Sequence, residues 1–151
     1  MLHYDVRKAP RRGFLLDPNA TVTLGPEDKG MIELGGALVA LDCSWKKIEE
    51  SLVSVERQTM LESRTLPMLL ASNPVSWGKP GRLSTAEALA ASLYLMGHNE
   101  QAVRVMGPFP FGDQFMELNK APLNAYIEAR SREELTELQW EFFDSDRSAD
   151  Y

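Results

Sequence analysis

The sequence is short of the residues on which several kinds of protein depend. It has a single cysteine, Cys43, so no disulfide can form within its 151 residues and a small bridged scaffold is excluded. Its two histidines, His3 and His98, stand far apart with no cysteine beside either, which argues for no metal site. No apolar run approaches the roughly 18 residues of a membrane span, so no membrane association is expected. The opening Met1-Leu2-His3-Tyr4-Asp5-Val6-Arg7-Lys8 lacks the apolar stretch of a secretion signal, and a reducing, cytoplasmic setting is expected. The phosphate-cradling GxxxxGK[ST], the dinucleotide GxGxxG and the zinc-binding HExxH are all missing. There is no internal repeat and no low-complexity tract. What is present is ordinary: 44% hydrophobic and 25% charged residues, enough for one compact domain or two small packed lobes.

The net charge of −6 is unevenly spread. Residues 113–151 hold ten acidic groups against four basic ones, which accounts for the whole excess. The preceding 112 residues balance, with twelve of each sign, and contain the basic cluster Arg7, Lys8, Arg11 and Arg12. Screening limits exposed charges to a reach of about 10 Å, so an acidic chain can still present a basic face to RNA.

The first half alternates strand and helix signals. Gly13-Phe14-Leu15-Leu16 is a short apolar run closed by the turn Asp17-Pro18-Asn19. Pro26-Glu27-Asp28 opens a helix that stops near Gly35-Gly36. Ala37-Leu38-Val39-Ala40-Leu41 reads as a strand covered on both faces. A longer helix is expected over 46–62, with Ile48, Leu52, Val55 and Thr59 on one stripe. A third strand is expected over 65–70, interrupted by Pro67. That order predicts an α/β fold with a parallel sheet and crossover helices.

The second half is helical. Two prolines and two glycines make 71–83 an irregular loop. Ser84-Thr85-Ala86-Glu87 is a capping box, and the nearly all-apolar 86–96 predicts a buried helix closed by Gly97. Further helices are expected over 100–106, 113–130 (disturbed by Pro122) and 132–143, then a loose acidic tail. The expected division is an α/β unit over 1–70, a helical unit over 71–143 and a tail over 144–151.

Three groups of residues could carry chemistry. Asp42-Cys43-Ser44-Trp45 closes the buried strand, where ligands gather in open parallel sheets. An acid there can bond a ribose and an indole can lie against an adenine or a sulfonium. A helix N-cap followed by a packing tryptophan accounts for the same residues. The loop 71–84 leads into a helix N-terminus with a hydroxyl, Thr85, suited to a carboxylate, although a plain capping box also explains Ser84 and Glu87. Phe109, Phe111 and Phe115 have helical spacing and read mostly as core. Arg7, Lys8, Arg11, Arg12, Lys46, Lys47, Arg64, Lys79 and Arg82 fall mostly at loops and element ends, and together would suit a phosphate backbone.

Several motifs in one order resemble the small-subunit rRNA aminocarboxypropyltransferases of archaea and eukaryotes. They are Arg11-Arg12-Gly13 with Leu16-Asp17-Pro18, Asp42-Cys43-Ser44-Trp45, Arg64-Thr65-Leu66-Pro67, Asn73-Pro74-Val75, and Leu83-Ser84-Thr85-Ala86-Glu87-Ala88-Leu89-Ala90. Phe111-Gly112, Phe115, Asn119, Leu123 and Tyr126 extend the likeness to residue 126. Trp77 stands where a tyrosine is common, Phe111 where a tryptophan is common and Gly81 where a larger residue is common. Family members carry a further segment ahead of the arginine pair; here ten residues precede Arg11, as expected of a truncated start or a shorter branch.

The resemblance implies a SPOUT-like fold with a deep trefoil knot and S-adenosyl-L-methionine as cofactor. The reaction implied is transfer of the 3-amino-3-carboxypropyl group to N3 of an N1-methylpseudouridine in small-subunit rRNA. By the motifs, Leu16 and Pro18 pack on the adenine, Leu41 offers a carbonyl to the ribose and Asp42 organises that loop. Trp45 and Ile48 hold the methyl side of the sulfonium. The backbones of Leu66 and Gly81 read the adenine edge, while Leu83, Ala88 and Ala91 cover its face and Thr85 holds the carboxylate. Asp42 is the nearest candidate base for the N3 proton. The implied partner is small-subunit rRNA or a pre-ribosomal particle, met by a monomer. A SPOUT-type RNA methyltransferase and a non-enzymatic rRNA-binding assembly module are the competing expectations.

Overall fold

Among the described residues, strand β1 (Gly13–Leu16) is the centre of a three-stranded parallel sheet, with β2 (Ala37–Val39) on one side and β3 (Glu62–Arg64) on the other. The computed structural model describes residues 12–40, 61–74, 77–78 and 83–143. All four β1 residues are buried, so this short run, rather than the longer one after it, is the strand covered on both faces. β2 is a flank, and its Ala37 and Leu38 are only partly buried. Gly13 has φ +135°, and a Cβ there would run into the Ala37 carbonyl, so only glycine lets the first two strands meet.

The β1–β2 connection is the expected helix. A 3-10 turn (Pro26–Asp28) leads into α1 (Lys29–Glu33), and Gly35, with φ +96°, ends it. Residues 41–60 lie outside the described residues, and with them nearly all of the helix expected over 46–62. At the far end of that range Glu62 opens β3 instead of closing a helix.

The strand expected over 65–70 lies earlier in the chain. The ladder covers Glu62–Arg64, followed by one parallel bridge from Thr65 to Thr23. Pro67 has no N–H to give a ladder; beyond it side chains from the helices bind the backbone, and Leu70 pairs again at an isolated bridge. The Met68 N–H donates to Gln139 Oε1 (3.0 Å), and Met68 O accepts from the Tyr126 hydroxyl (2.8 Å). The Leu70 N–H donates to Asn119 Oδ1 (2.7 Å), and Leu70 O accepts from Asn119 Nδ2 (2.8 Å).

Five helices follow: α2 (Thr85–Leu95), α3 (Asn99–Met106), α4 (Gly112–Leu118), α5 (Lys120–Glu128) and α6 (Arg132–Phe142). As the apolar run predicts, α2 is central and packs against α3, α5 and β2. Gly97 (φ +93°) turns the chain out, with its N–H donating to Tyr94 O and the His98 N–H to Leu93 O. The single helix expected over 113–130 is two helices, broken at Asn119 and not at Pro122. Pro122 sits in the first turn of α5, where an N–H has no helical partner to lose.

One apolar core joins the two halves. Phe14, Leu24 and Leu69 pack with Leu95, Met106, Phe115, Leu123, Tyr126 and Leu135, each large side chain worth roughly 1.5–3 kcal/mol of burial. Asp28, 5% exposed, pins the seam between the halves by pairing with Arg132 Nη2 (2.7 Å) and Arg64 Nε (3.3 Å). Glu27 accepts the Arg132 N–H at the start of α6 on both oxygens (2.8 and 2.9 Å). Among the described residues, no helix is long and apolar enough to cross a membrane.

Candidate ligand pocket at the carboxyl edge of the sheet

The carboxyl ends of parallel strands are where loops diverge and ligands bind. Here Leu16 ends β1, Ala40 follows β2 and Leu66 lies two residues past β3. These three pack with Ala88 and Leu89 of α2 and Val105 of α3 in a small apolar cluster of their own. The turn after Leu16 is fixed by hydrogen bonds at Asp17. The Asp17 N–H donates to Arg64 O (2.8 Å), and Asp17 Oδ1 accepts from the Asn19 N–H (2.8 Å). Pro18 is left exposed between them.

The start of α2 is organised by Glu87, which is fully buried. The capping box is present: Ser84 Oγ accepts the Glu87 N–H (3.3 Å) and Glu87 Oε1 accepts the Ser84 N–H (2.8 Å). The carboxylate also reaches across the loop. Oε1 accepts from Asn73 Nδ2 (2.6 Å), and Oε2 accepts from both the N–H (2.7 Å) and the hydroxyl (2.8 Å) of Ser72. Four donors thus offset the cost of taking this carboxylate out of water. Ser72, Asn73 and Glu87 form a hub that the sequence reading missed. Its signal was there: a glutamate in a helix apolar on all sides must find partners.

Of the residues singled out for a cofactor, Leu16, Leu66 and Ala88 come together in the apolar cluster, and Leu66 also touches the main core. Thr85 is the first residue of α2. Leu83 and Ala91 pack with the main core, Ala91 fully buried. Leu41, Asp42, Trp45, Ile48 and Gly81 lie outside the described residues, as do Arg7, Lys8, Arg11, Lys46, Lys47, Lys79 and Arg82. Apolar side chains at the strand ends and a helix N-terminus with a hydroxyl are chemistry that fits an adenosine-bearing ligand with an anionic tail.

Two basic residues can be placed. Arg12 is exposed at the amino end of β1, about 13 Å of strand from Leu16. The Arg64 side chain is only 13% exposed, pairs with Asp28, donates to Ser63 O (2.9 Å) and lies 4.7 Å over the Phe14 ring. It is held within the fold. Phe115 is core, as its spacing predicts, whereas Phe109 is 39% exposed and stacks edge-on with Phe111 (5.3 Å).

The family described as "Ribosome biogenesis protein, C-terminal" matches residues 14–143. A 16S rRNA aminocarboxypropyltransferase of Methanosarcina acetivorans is 41% identical over 138 residues, covering 91% of this chain and 76% of that protein. The 18S rRNA aminocarboxypropyltransferase of Schizosaccharomyces pombe is 38% identical over 133 residues, covering 88% of this chain and 45% of that protein. The solved structure of the SAM-dependent rRNA:acp-transferase Tsr3 from Vulcanisaeta distributa superposes with a TM-score of 0.74. It is 30% identical, over 94% of this chain and 80% of that one.

Proposed function

The chain belongs to the 16S/18S rRNA aminocarboxypropyltransferase family, and from that premise we propose that it modifies small-subunit rRNA during ribosome biogenesis. The reaction is transfer of the 3-amino-3-carboxypropyl group of S-adenosyl-L-methionine to N3 of an N1-methylpseudouridine. The observation that carries this reading is the assembly of Leu16, Leu66 and Ala88 at the carboxyl edge of the sheet, beside the start of α2.

When bound, the cofactor supplies a sulfonium with three electrophilic carbons, of which one must be selected. Leu16, Pro18, Leu66, Leu83 and Ala88 would line the adenine, with the backbones of Leu66 and Gly81 reading its edge, while Ala91, fully buried, serves the core instead. The Leu41 carbonyl would take the ribose. Trp45 and Ile48 would shield the methyl group, leaving the aminocarboxypropyl chain as the exposed arm. Thr85 would hold that chain's carboxylate, aided by the positive end of the 11-residue helix α2. Asp42 would accept the N3 proton, and positioning supplies most of the rate. Arg7, Lys8, Arg11, Arg12, Lys46, Lys47, Lys79 and Arg82 would meet the phosphate backbone. Arg64 serves the fold instead. The deep trefoil knot, the division into units 1–70 and 71–143, a monomeric state and a cytoplasmic site of action belong to the same reading.

The leaving product tests it. Protein, cofactor and small-subunit rRNA lacking the modification are incubated, and the released nucleoside is separated by chromatography. Methylthioadenosine is expected. S-adenosylhomocysteine would make this a methyltransferase, and release of neither would make it a binding module; each overturns the proposal.

A further inference from the structure

Phe109 is an aromatic side chain that the fold could have buried and does not. Phe115 is fully buried and Phe111 packs on the main core, while Phe109 keeps 39% of its surface in water. Its setting is nonetheless fixed. The Phe109 N–H donates to Met106 O (3.0 Å) and Phe109 O accepts the Gly112 N–H (3.0 Å), so the turn between α3 and α4 is closed by its own backbone. Pro108 and Pro110 restrict φ on either side, and a Cβ on Gly112 would run into Met106 O. Phe111 meets the ring edge-on, with centroids 5.3 Å apart. The ring is thus braced by a neighbour and still open to solvent.

This turn adjoins the proposed cofactor pocket. Val105, in the last turn of α3, belongs to the apolar cluster of Leu16, Leu66 and Ala88 at the strand ends. The Ser72 hydroxyl reaches Phe111 O (3.2 Å), and the Ser72 N–H donates to Glu87 (2.7 Å) in the first turn of α2. Arg104, next to Val105, is exposed and makes no ion pair among the described residues. An aromatic ring and an unpaired cation therefore stand on one exposed turn beside the pocket.

We infer that Phe109 is a stacking platform for an unpaired rRNA base beside the modified nucleotide, with Arg104 meeting its phosphate. The inference rests on the reading above, in which N3 is the atom modified. N3 lies on the Watson–Crick edge, so the target must be unpaired to react, and the base next to it loses a stacking neighbour. Unstacked bases are held on aromatic side chains and phosphates by arginine, and this turn offers one of each. A protein partner would bury the same surface without requiring that the ring be aromatic.

The probe is an rRNA fragment with the unmodified N1-methylpseudouridine in a single-stranded stretch, together with versions carrying an abasic nucleotide on one side of it or the other. Fluorescence anisotropy gives the dissociation constant, with melting temperature and S-adenosylmethionine affinity as controls. Phe109→Ala and Phe109→Leu are expected to weaken binding about fivefold or more, and Phe109→Trp to restore it, with cofactor affinity unchanged. One of the two abasic fragments should bind the natural protein as weakly, and Phe109→Ala no more weakly than the intact fragment does. Arg104→Gln changes only a surface charge and answers the question if the Phe109 variants do not fold; it should lower the slope of log affinity against log salt by about 0.7. Binding of natural strength by Phe109→Leu would make the turn a merely apolar contact, and an unaltered salt slope in Arg104→Gln would remove the phosphate; either overturns the inference alone. Natural protein that does not bind the intact fragment would overturn the inference together with the reading beneath it.

Discussion

Replacing Asn119 by leucine, which keeps the branched outline of the side chain without its polar atoms, tests whether a helical side chain does the work of a neighbouring strand. Asn119 is fully buried and makes three bonds: one accepted from Leu70, one donated to Leu70 O and one donated to Phe115 O (3.0 Å). Phe115 O keeps the Asn119 backbone N–H as a partner in the variant, at 3.2 Å. The Leu70 N–H and carbonyl each lose the Asn119 bond, and a backbone group orphaned in this way costs about 1–3 kcal/mol. The expected loss is therefore about 4 kcal/mol, a fall in Tm of roughly 8–16 °C for a chain of this size. Urea unfolding measures the first number, and amide hydrogen exchange at Leu70 locates it. Asn119→Asp separates the two bonds, since it keeps the acceptor for the Leu70 N–H but faces an oxygen to two carbonyls. That environment favours the protonated acid and raises its folded pKa. The deficit should thus be smallest at acid pH and grow as pH rises past the ordinary carboxylate range. A cost below about 1 kcal/mol for Asn119→Leu, with Leu70 protection unchanged, would refute the surrogate-strand account.

Three further outcomes follow from the geometry. Asp28→Ala leaves the Arg64 and Arg132 cations without their shared carboxylate and should cost about 3 kcal/mol in thermal unfolding; a loss under 1 kcal/mol would show that the network is not a stabilising seam. The Arg132 backbone N–H holds the exposed Glu27 carboxyl below its ordinary 4.5, so its contribution is present above that value and is lost as pH falls through the folded one. Glu27→Gln should therefore be less stable near neutrality by about 0.5 kcal/mol, with the gap closing under acid in pH-dependent denaturation. Ala88→Phe fills the apolar cluster at the strand ends and should weaken S-adenosylmethionine binding at least tenfold, about 1.4 kcal/mol, by calorimetry; unchanged affinity would move the pocket elsewhere.

Elements whose signals are local were legible in the sequence. The capping box at Ser84 and Glu87, the helix beginning at Pro26 and the strand at Gly13 all follow from residues within one or two turns of each other. The third strand lies earlier than the apolar run because such a run marks burial first; within it Thr65 and Leu70 pair at single bridges. Leu69 is buried in the core, yet the backbone around it bonds to Asn119, Tyr126 and Gln139, fifty to seventy residues away. The break at Asn119 was hidden for the same reason, since its side chain is committed to a distant backbone. Arg64 looked like a surface cation because no sequence pattern pairs it with Asp28, thirty-six residues earlier. Of the proposed adenine contacts, Leu16, Leu66 and Ala88 came from the resemblance, and the fold packs them in one apolar cluster. The buried Ser72, Asn73 and Glu87 hub came from neither.

The central claim is which arm of the cofactor reaches the RNA. Small-subunit rRNA lacking the modification is offered S-adenosylmethionine labelled either in the carboxyl carbon or in the methyl. The account predicts carboxyl label in the RNA and no methyl label. Methyl label in the RNA, or no label with cofactor bound, would contradict it.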